Sequence, residues 1–407
     1  MAAPLPDYNV DDAQTLLAPG RLKGKAVQVD PKSVHPVGDG RLFQATLNGA
    51  AAFPHLRGGE FGKVAIKVTE DDRTRRPREP RREALTLADL DHPNIISLLN
   101  AYVSEPTSSA PAPRVMFFTP SYPRTLRDLL DSPAFTSEEI RTTPCFSDVA
   151  RSLAFQLSSA VAYLHERGIA HRDINPSNVV VSAGGRAVLI DFGIAVPFKH
   201  EKPGEMHFEV GTGSYRAPEL VFASRDYDPA ALDLWALGCT IAELYRPLTY
   251  PPPPSPPSST EDDFERYYRE CATPEPPPRL RRQPLFDASL SDFVLAASIF
   301  RVLGTPTIET WPEAAQLPNF SRFTFSPFPP TPLPSHLPHL DPSEPVGAVL
   351  ASLLRISASS RIKAHEVVAA LGEAASGIWL PDDLDPGERD RLGPLLRTIL
   401  LQSSQEF

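Results

Sequence analysis

HRDINPSN, His171–Asn178, is followed after a short interval by DFG, Asp191–Gly193. Asp173 and Asn178 stand five apart, and Asp191 lies eighteen beyond Asp173, directly after the apolar run AVLI. That spacing offers hard oxygen ligands and a proton acceptor on neighbouring loops. Three further segments precede it. VGDGRLFQA (37–45) holds Gly38 and Gly40 between strand-like residues, VAIK is Val64–Lys67, and Glu83 sits in a helical stretch after Lys67. Each is weak alone: a Gly-x-Gly pair is ordinarily a turn, a strand lysine is ordinarily solvated, and DFG occurs in many proteins. Their order and spacing carry the signal.

The chemistry such a set can perform is phosphoryl transfer, which needs charge neutralisation around phosphates and a positioned nucleophile. Backbone amides of a glycine turn can approach phosphates because no Cβ intervenes. A lysine can meet phosphates if a carboxylate holds it, and Glu83 is the candidate holder. Asp191 and Asn178 suit Mg²⁺, and Asp173 can accept or orient a substrate hydroxyl.

In this order the segments resemble the signature set of eukaryotic protein kinases. GTGSYRAPEL (211–220) resembles the end of an activation segment, with Ala217-Pro218-Glu219 as its closing element. DLWALGC (233–239) resembles a helix start of the large lobe, and LADLDHPNIISLLNAY (87–102) the stretch after the small-lobe helix. IFRVLGTPTIETWP (299–312) is similar to cyclin-dependent kinases. The resemblance covers about residues 33–372 and implies an α+β, bilobal protein kinase fold, with a small β-rich lobe, a larger mainly helical lobe and ATP between them. It implies Asp173, Lys67, Glu83 and Asn175 as the catalytic set. ATP would meet Val37, Gly38, Gly40, Ala45, Ala65, Lys67, Asn178 and Asp191, with Mg²⁺ on Asn178 and Asp191. Thr119 aligns near the back of the ATP cleft, with Pro120 and Tyr122 continuing the link between lobes. Asp233 is expected to bond the catalytic-loop backbone, and His171 to pack beneath that loop. GGEFGKV (58–64) is a decoy: it ends too close to Lys67 to leave room for a turn between two strands, and is read as part of a hairpin loop.

The departures from the family pattern are informative. Phe43 stands where the third loop glycine is expected and Ala45 where a valine is usual. Arg41 and Leu42 replace the inhibitory Thr-Tyr pair of cyclin-dependent kinases. Asn175 replaces the catalytic-loop lysine, removing a positive charge near the transferred phosphate while keeping a hydrogen-bond donor. PREPRRE (77–83) aligns with the cyclin-binding helix but matches it only at its ends and at Arg82. Pro80 is tolerated at a first helical position and not in an interior, so a short helix starting near Pro80 is predicted and a standard cyclin interface is not. The six arginines of 73–82 read first as a solvated face, and more sharply as a contact for an acidic partner or phosphate. From Asp191 to Gly211 there is no Ser, Thr or Tyr. His207 occupies the position of the phosphorylated threonine, yet Arg172, which meets that phosphate in the family, is retained. A carboxylate from Glu201, Glu205 or Glu209 is expected to replace the phosphate, since arginine pairs bidentately with carboxylate. Independence from cyclin and from activating phosphate resembles the fungal single-subunit kinases that activate cyclin-dependent kinases. The competing readings are a cyclin-dependent-like kinase with another protein substrate, a weakly active pseudokinase scaffold, and an adaptor using PPPPSPP (251–257).

Composition bounds the rest. The chain has 407 residues, a net charge of −10, 41% hydrophobic and 22% charged residues. That suits a folded core and argues against a general nucleic-acid binder. Three cysteines, Cys145, Cys239 and Cys271, are too few for a disulfide framework, so a reducing compartment, cytoplasm or nucleus, is expected. No apolar run suits a membrane span, the first ten residues do not read as a secretory signal, and a monomer is expected. Of the 47 prolines, 22 fall in residues 251–345. The expected organisation is an N-terminal extension (1–32), a small lobe (33–120), a large lobe (121–380) with a Pro-rich insertion at about 248–283, and a helical tail (381–407). A short amphipathic helix is expected at 260–271.

Overall fold

A computed structural model describes residues 27–37, 40–47, 63–72, 76–104, 112–140, 145–199, 204–250, 280–373 and 378–381, together with residues 392, 393, 396 and 399. The first lobe is a five-stranded antiparallel sheet in the order β1-β2-β3-β5-β4. Its strands are β1 (Val27–Val37), β2 (Gly40–Leu47), β3 (Lys63–Glu70), β4 (Asn100–Ser104) and β5 (Arg114–Pro120). Pairing of Val37 with Gly40 makes β1–β2 a hairpin joined at residues 38–39. Thr46 pairs with Lys63, so the decoy glycines Gly58 and Gly59 fall in the connection between β2 and β3, outside the described residues. The sheet begins at Val27, inside what the sequence assigned to the N-terminal extension. Its β-branched residues are interleaved with charged and proline residues, which hides the strand pattern.

Helix α1 (Pro80–Ala88) packs against β5. Proline at its first position fixes φ and lacks an N–H that would be unpaired there anyway. Pro80, Glu83, Ala84 and Leu87 are buried, the i, i+3, i+4, i+7 stripe of one helix face. Nine residues make it only about 13 Å long.

The second lobe is mainly helical. After β6 (Arg124–Thr125) come α2 (Leu126–Leu130), capped by the Thr125 side chain, and α3 (Phe146–Glu166). Strands β7 (Ile169–Ala170), β8 (Val179–Val181), β9 (Ala187–Leu189) and β10 (Val196–Pro197) frame the catalytic loop. Helix α4 (Pro218–Val221) is followed by α5 (Pro229–Leu244), which is buried nearly all round and therefore carries few polar residues. Strands β11 (Leu248–Thr249) and β12 (Arg281–Arg282) pair with each other, so the Pro-rich insertion leaves and rejoins the lobe at one place. The buried Arg282 guanidinium donates to the carbonyls of Leu130 and Leu244 and fixes that re-entry. Residues 251–279, including the expected helix at 260–271, lie outside the described residues. Helices α6 (Asp292–Leu303), α7 (Val346–Leu353) and α8 (Ala364–Glu373) complete the lobe. Of the predicted tail helix only a few positions are described, and Leu392, Leu396 and Ile399 among them are buried. No described helix is long and apolar enough to cross a membrane.

Candidate active site

A cleft of about 520 Å³ lies between the lobes, within the range of small-molecule sites. Leu42, Ala65, Val180 and Ile190 line it with apolar surface, while Lys67, Glu83, Asn178 and Asp191 converge at its polar end. In β2 the lining positions are Leu42 and Gln44, two apart as a pleated strand requires. Ala45, which the resemblance implied, pairs with Val64, and the structure gives its strand placement only. Phe117, paired with Lys67, walls the back of the cleft, and Thr119 sits one pleat further out across from Ala65. Pro120 and Tyr122 do line the cleft. Gly38 lies outside the described residues. For Val37, Gly40 and Phe43 the structure gives strand placement only.

Lys67 Nζ is 2.8 Å from Glu83 Oε1 and 2.7 Å from Asp191 Oδ1. The sheet supplies the lysine, α1 the glutamate and the loop after β9 the aspartate. Burial opposes the charge on Lys67, but two carboxylates outweigh it and hold the amine above its ordinary pKa. Burial would likewise raise Asp191, yet Lys67 and the Arg78 guanidinium beside it hold the carboxyl well below the usual range. Burial pushes Glu83 above its ordinary value and the neighbouring Asp191 carboxylate adds to this, against the lowering by Lys67. The charge pattern that the short contacts support is a cationic lysine between two carboxylates, since an uncharged amine would lose both charge-assisted bonds.

The catalytic loop is held from below. Buried Asp233 on α5 accepts the N–H groups of His171 at 2.8 Å and Arg172 at 2.7 Å, and its Oδ2 meets His165 Nε2 at 3.0 Å. Arg172 adopts φ 66° and Asp191 φ 62°, a left-handed conformation that costs about 1–3 kcal/mol unless the surroundings enforce it. For Arg172 the enforcing group is Asp233. His171 is buried, with Nε2 against Ile190 O at 3.0 Å and its ring edge-on to Phe192.

Asp173 receives three side-chain donors. Asn178 Nδ2 reaches Oδ2 at 2.8 Å, the Thr212 hydroxyl reaches Oδ1 at 2.6 Å, and Asn175 Nδ2 reaches Oδ1 at 3.2 Å. The Asn175 oxygen also accepts the N–H groups of Ser177 and Asn178, capping the short turn 176–178. Asn175 thus orients Asp173 and shapes the loop, the two tasks its side chain can perform without a charge.

Two oxygens remain for a cation. Lys67 and Arg78 both approach Asp191 Oδ1, and Asn178 donates through Nδ2, so Asp191 Oδ2 and Asn178 Oδ1 make no hydrogen bond among the described residues. One carboxylate and one amide fit Mg²⁺, which keeps several waters and takes other ligands from phosphates. They form no cluster of three or more acidic, His or Cys ligands among the described residues, which a dedicated protein cage would need.

The activation segment is anchored at its end by Glu219, which pairs bidentately with buried Arg361 at 2.7 Å on both oxygens. The Arg172 guanidinium donates to Ile194 O at 2.8 Å and Tyr227 Oη at 3.3 Å. Glu205 and Glu209 are exposed and form no ion pair with it, so the expected carboxylate substitute is neither of these. Glu201 lies outside the described residues. Arg361, Thr212, Val180, Gln44 and Arg78 were not singled out as site residues from the sequence. Only the repeating apolar pattern around Val180 offered a signal.

A protein kinase domain model matches residues 56–370. Cyclin-dependent kinase 20 of Danio rerio is 29% identical over 320 residues, covering 77% of this chain and 76% of that protein. Serine/threonine-protein kinase csk1 of Schizosaccharomyces pombe is 29% identical over 277 residues, covering 66% and 73%. Among solved structures, the yeast RNA Pol II CTD kinase CTDK-1 complex contains a chain with a TM-score of 0.56 at 22% identity, covering 80% of this chain and 87% of that one.

Proposed function

Given that the chain belongs to the protein kinase family, as a serine/threonine kinase of the cyclin-dependent-kinase-like kind, we propose that it works without a cyclin and without a phosphate on its activation segment, and that it phosphorylates the activation segment of cyclin-dependent kinases. The observation that carries the reading is the Lys67–Glu83 contact of 2.8 Å. It needs α1 to lie against the sheet, the placement a partner would otherwise have to enforce. Two features support it. The segment from Asp191 to Gly211 offers no hydroxyl to phosphorylate. Thr212, the next candidate, spends its hydroxyl on Asp173, where a phosphate would bring like charge beside a carboxylate.

Within this reading, Asp173 would take or orient the substrate hydroxyl proton, held by Thr212, Asn175 and Asn178. Lys67 would meet the α/β-phosphates of ATP while Glu83 fixes its position. Asp191 and Asn178 would hold Mg²⁺, which supplies charge neutralisation at the phosphates. A pseudokinase scaffold is disfavoured because each of these groups is retained. The acidic net charge and the scarcity of cysteines support a monomeric enzyme of the cytoplasm or nucleus, bound to neither nucleic acid nor membrane. The test is the activity of the purified chain with and without added cyclins, followed by intact-mass analysis. Full activity of unphosphorylated enzyme alone supports the reading. Dependence on a cyclin, or on a phosphate at Thr212, overturns it.

A further inference from the structure

The arginines before α1 do not form a uniform solvated face. Arg81 pairs with Asp71, and Arg82 and Arg76 reach Glu79. Arg78 turns the other way, into the cleft. Its Nη1 lies 3.7 Å from Asp191 Oδ1, and a Cβ added at Gly193 would stand 3.0 Å from the same nitrogen. The guanidinium therefore packs against the DFG backbone. One residue on, the Glu79 N–H donates to Gly193 O at 3.3 Å. Pro80, which follows, has no N–H to compete and starts α1 directly. Glu83 lies four residues into the same rigid unit and meets Lys67, which meets Asp191. The contacts close a ring: α1 to Lys67, Lys67 to Asp191, and Asp191 and Gly193 back to the entry of α1.

We propose that Arg78 is a positioning residue of the phosphoryl-transfer centre, tying the entry of α1 to the DFG segment so that Asp191 holds one oxygen toward the cleft. The second cation acts from behind Asp191, on the oxygen Lys67 already occupies. Losing it would leave Asp191 held by Lys67 alone, less narrowly positioned, while making the carboxylate no weaker a ligand, so turnover and affinity separate. The inference rests on the kinase activity alone and holds whatever the protein substrate.

The test uses the full chain with Arg78→Ala and Arg78→Lys, and Arg76→Ala as an exposed neighbour. Steady-state assays with Mg²⁺ and ATP give kcat and the half-saturating Mg²⁺ and ATP concentrations. Amide hydrogen exchange of the nucleotide-free protein reports on Glu79 and the first turn of α1. For Arg78→Ala the expected result is a fall of about tenfold in kcat, the scale set by slight misplacement of a reacting group, with no rise in half-saturating Mg²⁺. Exchange at residues 79–83 should quicken, Arg78→Lys should recover most of kcat, and Arg76→Ala should stay within twofold of the parent. The proposal is overturned if Arg78→Ala keeps its parent kcat, if it gains activity (as a plug on Asp191 would give), or if exchange in α1 is unchanged.

Discussion

Substituting Asn175 separates two contributions that this one side chain combines. Its oxygen caps the turn at Ser177 and Asn178, with N···O distances of 2.9 and 3.3 Å, and its nitrogen reaches Asp173 Oδ1 at 3.2 Å. Asn175→Ala removes both. Loss of a cap costs about 1 kcal/mol, and Asn178 N–H keeps its bond to Asn175 O at 3.0 Å, so collapse of the loop is not expected. For a chain of this size 1 kcal/mol lowers Tm by about 1–2 °C. Asp173 keeps Asn178 and Thr212 as donors, and Asn175 does not line the cleft. The expected loss is therefore about tenfold in kcat with KM for ATP unchanged. Asn175→Lys loses the same cap, because an ammonium accepts no hydrogen bond, but its cation can reach Asp173 and the transferred phosphate. A charge-assisted hydrogen bond contributes about 1.5–3 kcal/mol, and 1.4 kcal/mol is a factor of ten in rate. With stability matched between the two variants, their kcat ratio isolates the charge, and the Lys variant should exceed the Ala variant by at least tenfold. Stopped assays over an ATP series, with thermal denaturation of both proteins, make the comparison. Equal kcat values for the Ala and Lys variants, or an Ala variant with parental kcat and Tm, would overturn these roles of Asn175.

Three further outcomes follow from the same geometry. Glu83→Gln leaves half-buried Lys67 with one carboxylate; losing a charge-assisted bond should lower kcat/KM for ATP by about thirtyfold, and a change under threefold in a nucleotide titration would contradict the assigned role. Arg361→Ala strands the buried Glu219 carboxylate and should cost about 3–5 kcal/mol, read as a lower denaturant midpoint, with Arg361→Ala/Glu219→Gln recovering part of it. His92 accepts the Asn94 N–H through Nδ1; burial, with help from Arg186 and Arg167, lowers its pKa from the ordinary 6.5 to about 4. Its neutral form is thus favoured by folding, and that stability is complete above pH 6.5 and lost as pH falls toward 4. Partial solvent screening keeps the effect to about 1 kcal/mol, so His92→Gln should flatten this part of the stability profile relative to the parent, and parallel profiles would remove His92 from the account.

What could be read from the sequence was the chemistry that sits on short spacings. Lys67, Asp173, Asn178 and Asp191 stand in local segments; the structure brings Lys67, Asn178 and Asp191 to one cleft with Glu83, and Asp173 bonds Asn178 beside it. Contacts that depend on folding at long range left no local trace. Glu219 and Arg361 lie 142 positions apart, and nothing near either announces the other. Arg78 was hidden by composition, since one functional arginine in a run of six resembles its solvated neighbours. The strand β4, NAYVS, carries polar residues at both ends and reads as loop until β5 pairs with it. In β2 the pairing with β3 shows that Leu42 and Gln44 belong to one parity of the strand, the one that lines the cleft.

The most direct test of the central claim is phosphosite mapping. The purified chain, Mg²⁺ and ATP are incubated with a cyclin-dependent kinase carrying an unphosphorylated activation segment and its own inactivating Asp→Asn change, with no cyclin present. Site-specific phosphate on that activation segment, absent when Asp173→Asn enzyme is used, is the predicted result. Phosphate that appears only after a cyclin is added, or only at other sites, would contradict the account.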